Sequence, residues 1–332
     1  MKKLLILVSL LLLLTGCGKE SITGEVQSVT SRDGYVELIL VGMEDRIFAD
    51  ENTFVYSFSG IEEGLLEGSL IRPIISAEEL RRTKGGYSAQ RICVESTILP
   101  EPHVLSDGTP LNIRTGYHGN LYETQDGYEI LWEQEPVGPE NVSVGGLPTL
   151  RDLPEKAQEA ITAYYASLGL LYDLDAELEK AYEAFLTSEN KNLFQSRHLA
   201  QSICPTAANQ QLVWFAAFIT EPIGSGLVHE RRMGTVFHRN TGQIVDYAEL
   251  FTCTEDAVCQ RILDIAGMPD TQLRKHMEKA FRLDYILFHS SNLDVHFPVR
   301  SLPGETQDHI IGIDYADLEG LLCQWAIPDP SE

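Results

Sequence analysis

Basic residues are scarce. The 332-residue chain has 25 Lys and Arg against 49 Asp and Glu, so its formal charge is 25 − 49 = −24. A surface this negative repels phosphate backbones and anionic membranes, which argues against nucleic-acid binding and favours cationic partners. Motifs that cradle nucleotide phosphates are missing as well: there is neither a Gly-x-Gly-x-x-Gly run nor a P-loop. No Gly-x-Ser-x-Gly elbow, His-Glu-x-x-His pair or Cys-x-x-Cys pair occurs. With no catalytic constellation, the chain reads as a non-enzyme with no cofactor and no assignable catalytic residue. What is present is a 43% apolar, 22% charged composition, enough for a real core, at a length that suits about two domains.

Long apolar runs are confined to the N-terminus. Lys2 and Lys3 precede Leu4–Leu14, which only Ser9 interrupts. That run is too short for a bilayer that needs about 20 residues, so it reads as a secretory core. The next residues, Leu14-Thr15-Gly16-Cys17, resemble the lipobox of bacterial lipoproteins. The resemblance implies removal of a signal over 1–16 and acylation of Cys17. A tether over 17–21 would then hold the chain to the cell membrane, facing the extracytoplasmic side. Loss of the two lysines takes the mature charge to −24 − 2 = −26. Five further cysteines remain, an odd number. Cys253 and Cys259 are close enough in sequence for a local disulfide; the others read mainly as small buried apolar residues.

From Ile22 to Leu99, short alternating segments are separated by glycine turns. Five or six strands in so short a stretch predict a small closed barrel over 22–99. Gly24-x-Val26-x-x-Val29 and Leu65-x-x-Gly68-x-x-Ile71 resemble OB-like domains of secreted bacterial lipoproteins. A Pro-rich linker over 100–103 leads to a second domain over 104–326. Gln125-Asp126-Gly127 marks a hairpin there. Ala157, Ala160, Ile161, Tyr164, Tyr165 and Leu168 share one helical face that Gly169 ends, and Leu174, Leu178, Ala181, Tyr182 and Phe185 repeat the period. Long strands follow around His198–Ile203, Gln211–Thr220 and Arg232–His238. Thr252 with Glu255 fits a capping box, and strands near 285–288, 293–297 and 309–313 close the chain. The expected class is α+β: a small all-β OB-like barrel, then a larger antiparallel sheet packed with helices.

The segment Phe237-His238-Arg239-Asn240-Thr241-Gly242-Gln243-Ile244-Val245-Asp246-Tyr247-Ala248-Glu249-Leu250-Phe251, then Asn292-Leu293-Asp294-Val295-His296-Phe297 and Ile311-Gly312-Ile313-Asp314-Tyr315-Ala316-Asp317-Leu318, carries a second resemblance. It resembles the extracytoplasmic domain of unknown function found in a lysozyme-sensing anti-sigma factor and alongside a peptidoglycan deacetylase. The match is clearest over 223–322. It departs at Ile223-Gly224-Ser225-Gly226-Leu227-Val228-His229, where the family has a Gly-Gly-Ala-His-type turn. The resemblance implies a lysozyme-like or peptidoglycan ligand.

Among individual side chains, His229 and His238 would meet as metal ligands only if a hairpin brought them together. Asp294 and His296 share a strand face that His289 could join, while Asp314, Asp317 and Glu319 cluster at the last helical segment. Trp132 is the tryptophan open to carbohydrate stacking. The reading that unites these signs is a membrane-anchored extracytoplasmic lipoprotein acting as a non-enzymatic binding module for a lysozyme-like cationic protein or a cell-wall ligand. The alternatives are a peptidoglycan-processing enzyme or accessory and a structural cell-envelope lipoprotein.

Overall fold

The computed structural model describes residues 21–332 except 33, 58–72, 100, 117, 225–226, 306 and 331–332. The signal segment, Cys17 and the Leu65–Ile71 motif lie outside the described residues. Strand makes up 41% of the described residues and helix of all kinds 25%. They fall into two compact units that divide between Glu129 and Ile130, within the second strand of the hairpin marked by Gln125-Asp126-Gly127.

The first unit is all strand. In chain order its strands are β1 (Ser21–Arg32), β2 (Tyr35–Leu40), β3 (Arg46–Asp50), β4 (Phe54–Ser57), β5 (Ile74–Glu78), β6 (Arg81–Thr83), β7 (Gly86–Ser88), β8 (Arg91–Ile98), β9 (His103–Val104), β10 (Pro110–Gly116) and β11 (Gly119–Glu123). Alternation brings Leu38, Leu40, Ile47, Ile75, Ile92 and Val94 onto one buried face. Here the structure corrects the expected barrel. The hydrogen-bonded order runs β11-β10-β8-β5-β1-β2-β3-β7-β6, with β4 beside β8, and no barrel closes among the described strands of 22–99 because neither β8 nor β4 pairs with β6 or β7 at the other end. Pairing is also mixed: β3 lies parallel to β7 and β4 parallel to β8. Alternation shows which face is buried, but it does not show which edges meet, and closure depends on the edges.

The second unit is built on β12 (Glu129–Gln134), β13 (Arg197–Ala208), β14 (Leu212–Gly224) and β15 (Leu227–His238). A purely antiparallel sheet is corrected here too, since β12 runs parallel to β13. The long ribbon β13-β14-β15 is antiparallel throughout. Leu212 to Ala217 are buried on both faces of β14, which explains the unbroken apolar run of that strand. Helix α1 (Glu155–Leu168) covers one face with Ile161 and Tyr165; the Tyr164 and Tyr165 rings meet Phe237 edge-on at 5.4 and 6.0 Å. Helix α2 (Leu174–Thr187) follows, capped by Asp173, whose carboxylate accepts from Ala176 N at 3.0 Å.

On the other face, Trp214 stacks on Phe288 with ring centroids 5.5 Å apart. Phe288 belongs to a three-stranded antiparallel sheet of β16 (Ile286–Phe288), β17 (Asn292–Phe297) and β18 (His309–Asp314), in that order. Helices α3 (Glu255–Ile265) and α4 (Gln272–Ala280) add Val258, Ile262 and Met277 to the same core. The Thr252–Glu255 capping box does not form. Thr254 is the N-cap, Thr252 Oγ1 donates to Gly320 O at 2.6 Å, and Glu255 Oε1 accepts from Leu283 N at 3.0 Å.

Candidate functional site

The histidines considered as metal ligands stand apart. His229 and His238 lie nine positions apart on β15, which places them about 30 Å apart and on opposite faces of the strand. His229 Nε2 is 3.2 Å from Glu221 Oε2, and the other carboxylate oxygen takes Arg231 Nη2 at 3.1 Å. Among the described residues, no group of three or more His, Cys, Asp or Glu could hold a metal. Cys253 and Cys259 are both free thiols, the first exposed and the second buried, where burial pushes the Cys259 thiol up to about 12. Trp132 is 36% exposed and stacks on His198, with centroids 4.4 Å apart and planes 13° from parallel.

Residues of β17 come closest to a site. Asn292, Asp294 and His296 alternate onto one face, as their spacing implies. Asp294 is held by Asn292 Nδ2 at 2.6 Å and lies 3.3 Å from His289 Nε2. His296 is separate from that pair. It is 1% exposed, and its Nε2 meets Asp308 Oδ2 at 3.2 Å. Burial holds the His296 imidazole below its ordinary value, so it is neutral at pH 7; Asp308 works against that shift, and Arg232 and Glu230 of β15 act in opposite senses.

These groups border an edge of distinct chemistry. β18 pairs with β17 on one side, and no described strand pairs with its other side. An unpaired edge leaves a row of backbone donors and acceptors for another chain. Natural edges are commonly blunted by Lys or Pro, and β18 contains neither. Ile310 stands out from it, 45% exposed. Asp308, Asp314, Asp317 and Glu319 flank it, and from residue 301 to the C-terminus there are seven acids and no Lys or Arg. Acids thus precede, end and follow this unpaired strand in the chain. The short helix itself, Tyr315–Leu318, is a single 3₁₀ turn. Reading the residues singly missed this, because an edge is a property of the sheet; the acid-only composition of the tail was the available signal.

No protein-family model matches the chain, and no curated protein matches it. Two crystal structures of proteins from DUF3298, a family of unknown function, are distantly similar. The one from Bacteroides fragilis NCTC 9343 shares 10% identity, covers 69% of this chain and 93% of its own, and has a TM-score of 0.36. The one from Pseudomonas aeruginosa PAO1 shares 14% identity, covers 45% and 71%, and has a TM-score of 0.26.

Proposed function

We propose that the chain is a lipid-anchored extracytoplasmic binding module, and that the β18 edge receives an extended segment of a cationic protein. The observation that carries this reading is the unpaired β18 edge, in a stretch of chain that has seven acids and no Lys or Arg after position 300. Strand addition supplies the main-chain hydrogen bonds, Ile310 offers an apolar contact, and the carboxylates select positive side chains. The second unit as a whole carries 14 Lys and Arg against 30 Asp and Glu over residues 130–332, a charge of 14 − 30 = −16. Such a field accelerates encounter with a basic partner and weakens as salt screens it. A lysozyme-like protein fits this chemistry. Cys17 supplies the membrane attachment through its lipobox.

The test is calorimetric titration of residues 20–332 with a C-type lysozyme at low and at physiological salt. Saturable binding that weakens with salt supports the reading. The absence of both heat and co-elution at low salt contradicts it.

A further inference from the structure

A second surface of the same unit has the opposite character. Two tight turns meet at one end of the long ribbon. One joins β13 to β14 through Asn209, Gln210 and Gln211; the other follows β15 through Asn240, Thr241 and Gly242. Between them lies a depression of about 380 Å³ lined by Gln210, Gln211, His238, Asn240, Thr241 and Gln243. That volume is at the small end of ligand-sized cavities, about 300–1,000 Å³. The lining holds no carboxylate, ammonium or guanidinium group, although the protein carries a charge of −24. The side-chain amides of Gln210, Gln211, Asn240 and Gln243 and the His238 imidazole hydrogen-bond to no described residue.

The backbone beneath these side chains is firmly held. Asn209 is buried; its Nδ2 donates to Trp325 O and Ile327 O at 3.0 and 2.9 Å, and its Oδ1 accepts from Gln211 N and Leu212 N at 2.8 and 2.7 Å. Arg239 N donates to Gln211 O at 2.8 Å, tying one turn to the other. Gly242, at φ 67°, sits so close to α1 that a Cβ there would lie 2.7 Å from Ala157 O. Four free amides and a free imidazole are therefore presented from a fixed frame.

We propose that this depression binds a neutral, polyhydroxylated ligand: one or two units of an uncharged glycan. Each amide offers donors and an acceptor, as each sugar hydroxyl does, so the two sets can pair reciprocally. An ionic ligand would find no counter-charge in the lining. The site is separate from the β18 edge and goes beyond the cationic-partner reading.

The experiment is a saturation-transfer NMR titration of the full chain with chitotriose and with maltotriose, in a detergent without sugar headgroups. The expected Kd is of order 1 mM for at least one sugar. The double substitution Asn240→Ala with Gln243→Ala is expected to weaken binding about tenfold or more. Glu319→Gln, on the other surface, is expected to change sugar binding less than about twofold. Near-UV circular dichroism identical to wild type shows that the double variant is folded. Failure of both sugars to saturate, or wild-type affinity in the folded double variant, overturns the proposal. The lysozyme titration separates the two readings: sugar binding that depends on Asn240 and Gln243 sustains this proposal even where lysozyme does not bind.

Discussion

The two units bury different cores and order their strands differently. Around Leu38, Ile47, Ile75 and Ile92, the first unit's core is aliphatic. The second surrounds Trp214 with Phe251, Phe288 and Phe297. In the first, neighbours in the sheet are often distant in the chain: β1 lies beside β5, β3 beside β7, and β8 between β5 and β10. In the second, β13-β14-β15 and β16-β17-β18 pair in chain order. Small aliphatic side chains on a pleated face tolerate many neighbours, so chain order alone does not choose among them. A large ring such as Trp214, 1% exposed and stacked on Phe288, needs one matching partner and sets the packing of two sheets at once.

The largest expected effect tests that contrast directly. Trp214→Ala should cost about 3–5 kcal/mol, whereas Ile75→Val in the first unit should cost about 1 kcal/mol. Chemical denaturation followed by far-UV circular dichroism measures both, and equal losses would erase the distinction. Next come two glycines where a neighbour fills the space of the missing side chain. At Gly86 a Cβ would strike the backbone carbonyl of Arg46 across the parallel β3–β7 pair; at Gly234 it would strike the Tyr247 hydroxyl. Gly86→Ala and Gly234→Ala should each cost about 1–3 kcal/mol. The first should cost more, because a backbone carbonyl in a sheet has less room to move than the end of a side chain. Thermal melts of the two variants test the order.

A smaller effect is tied to pH. The folded-state pKa of His296 is depressed by burial, so between pH 7 and 5 the unfolded chain takes up a proton that the folded chain resists. Stability is therefore full above the unfolded value near 6.5 and declines as pH falls below it. His198, also held low by burial, adds to the same slope. His296→Asn should flatten the dependence of the denaturation midpoint between pH 7 and 5, while the wild-type midpoint falls. The smallest effect is expected at Ile310→Lys: within about 0.5 kcal/mol of wild-type stability, since the residue is exposed. The same change should weaken binding of a cationic partner by placing a positive charge on the acidic edge.

How much was legible follows the same division. Helices α1 to α4 follow from their 3.6-residue period and from stops such as Gly169 and Gly267. The second unit's hairpins follow from their turns, because a tight turn commits its flanking strands to each other. The first unit's order was not legible, since parallel pairs such as β3–β7 and β4–β8 leave no local mark. At the site, Asp294 and His296 were correctly placed on one face by their spacing of two. His229 and His238 could meet only across a hairpin; both lie on the single strand β15, where their odd spacing puts them on opposite faces. The β18 edge needed the whole sheet to be seen. Only its acidity was present in the letters.

The most direct test is amide hydrogen exchange across His309–Asp314, measured with and without saturating C-type lysozyme. Strand addition at the unpaired edge predicts slowed exchange in β18 on binding, with the buried Asn292–Phe297 strand little changed. Binding that leaves the β18 amides as fast as in the free protein would contradict the edge as the docking site.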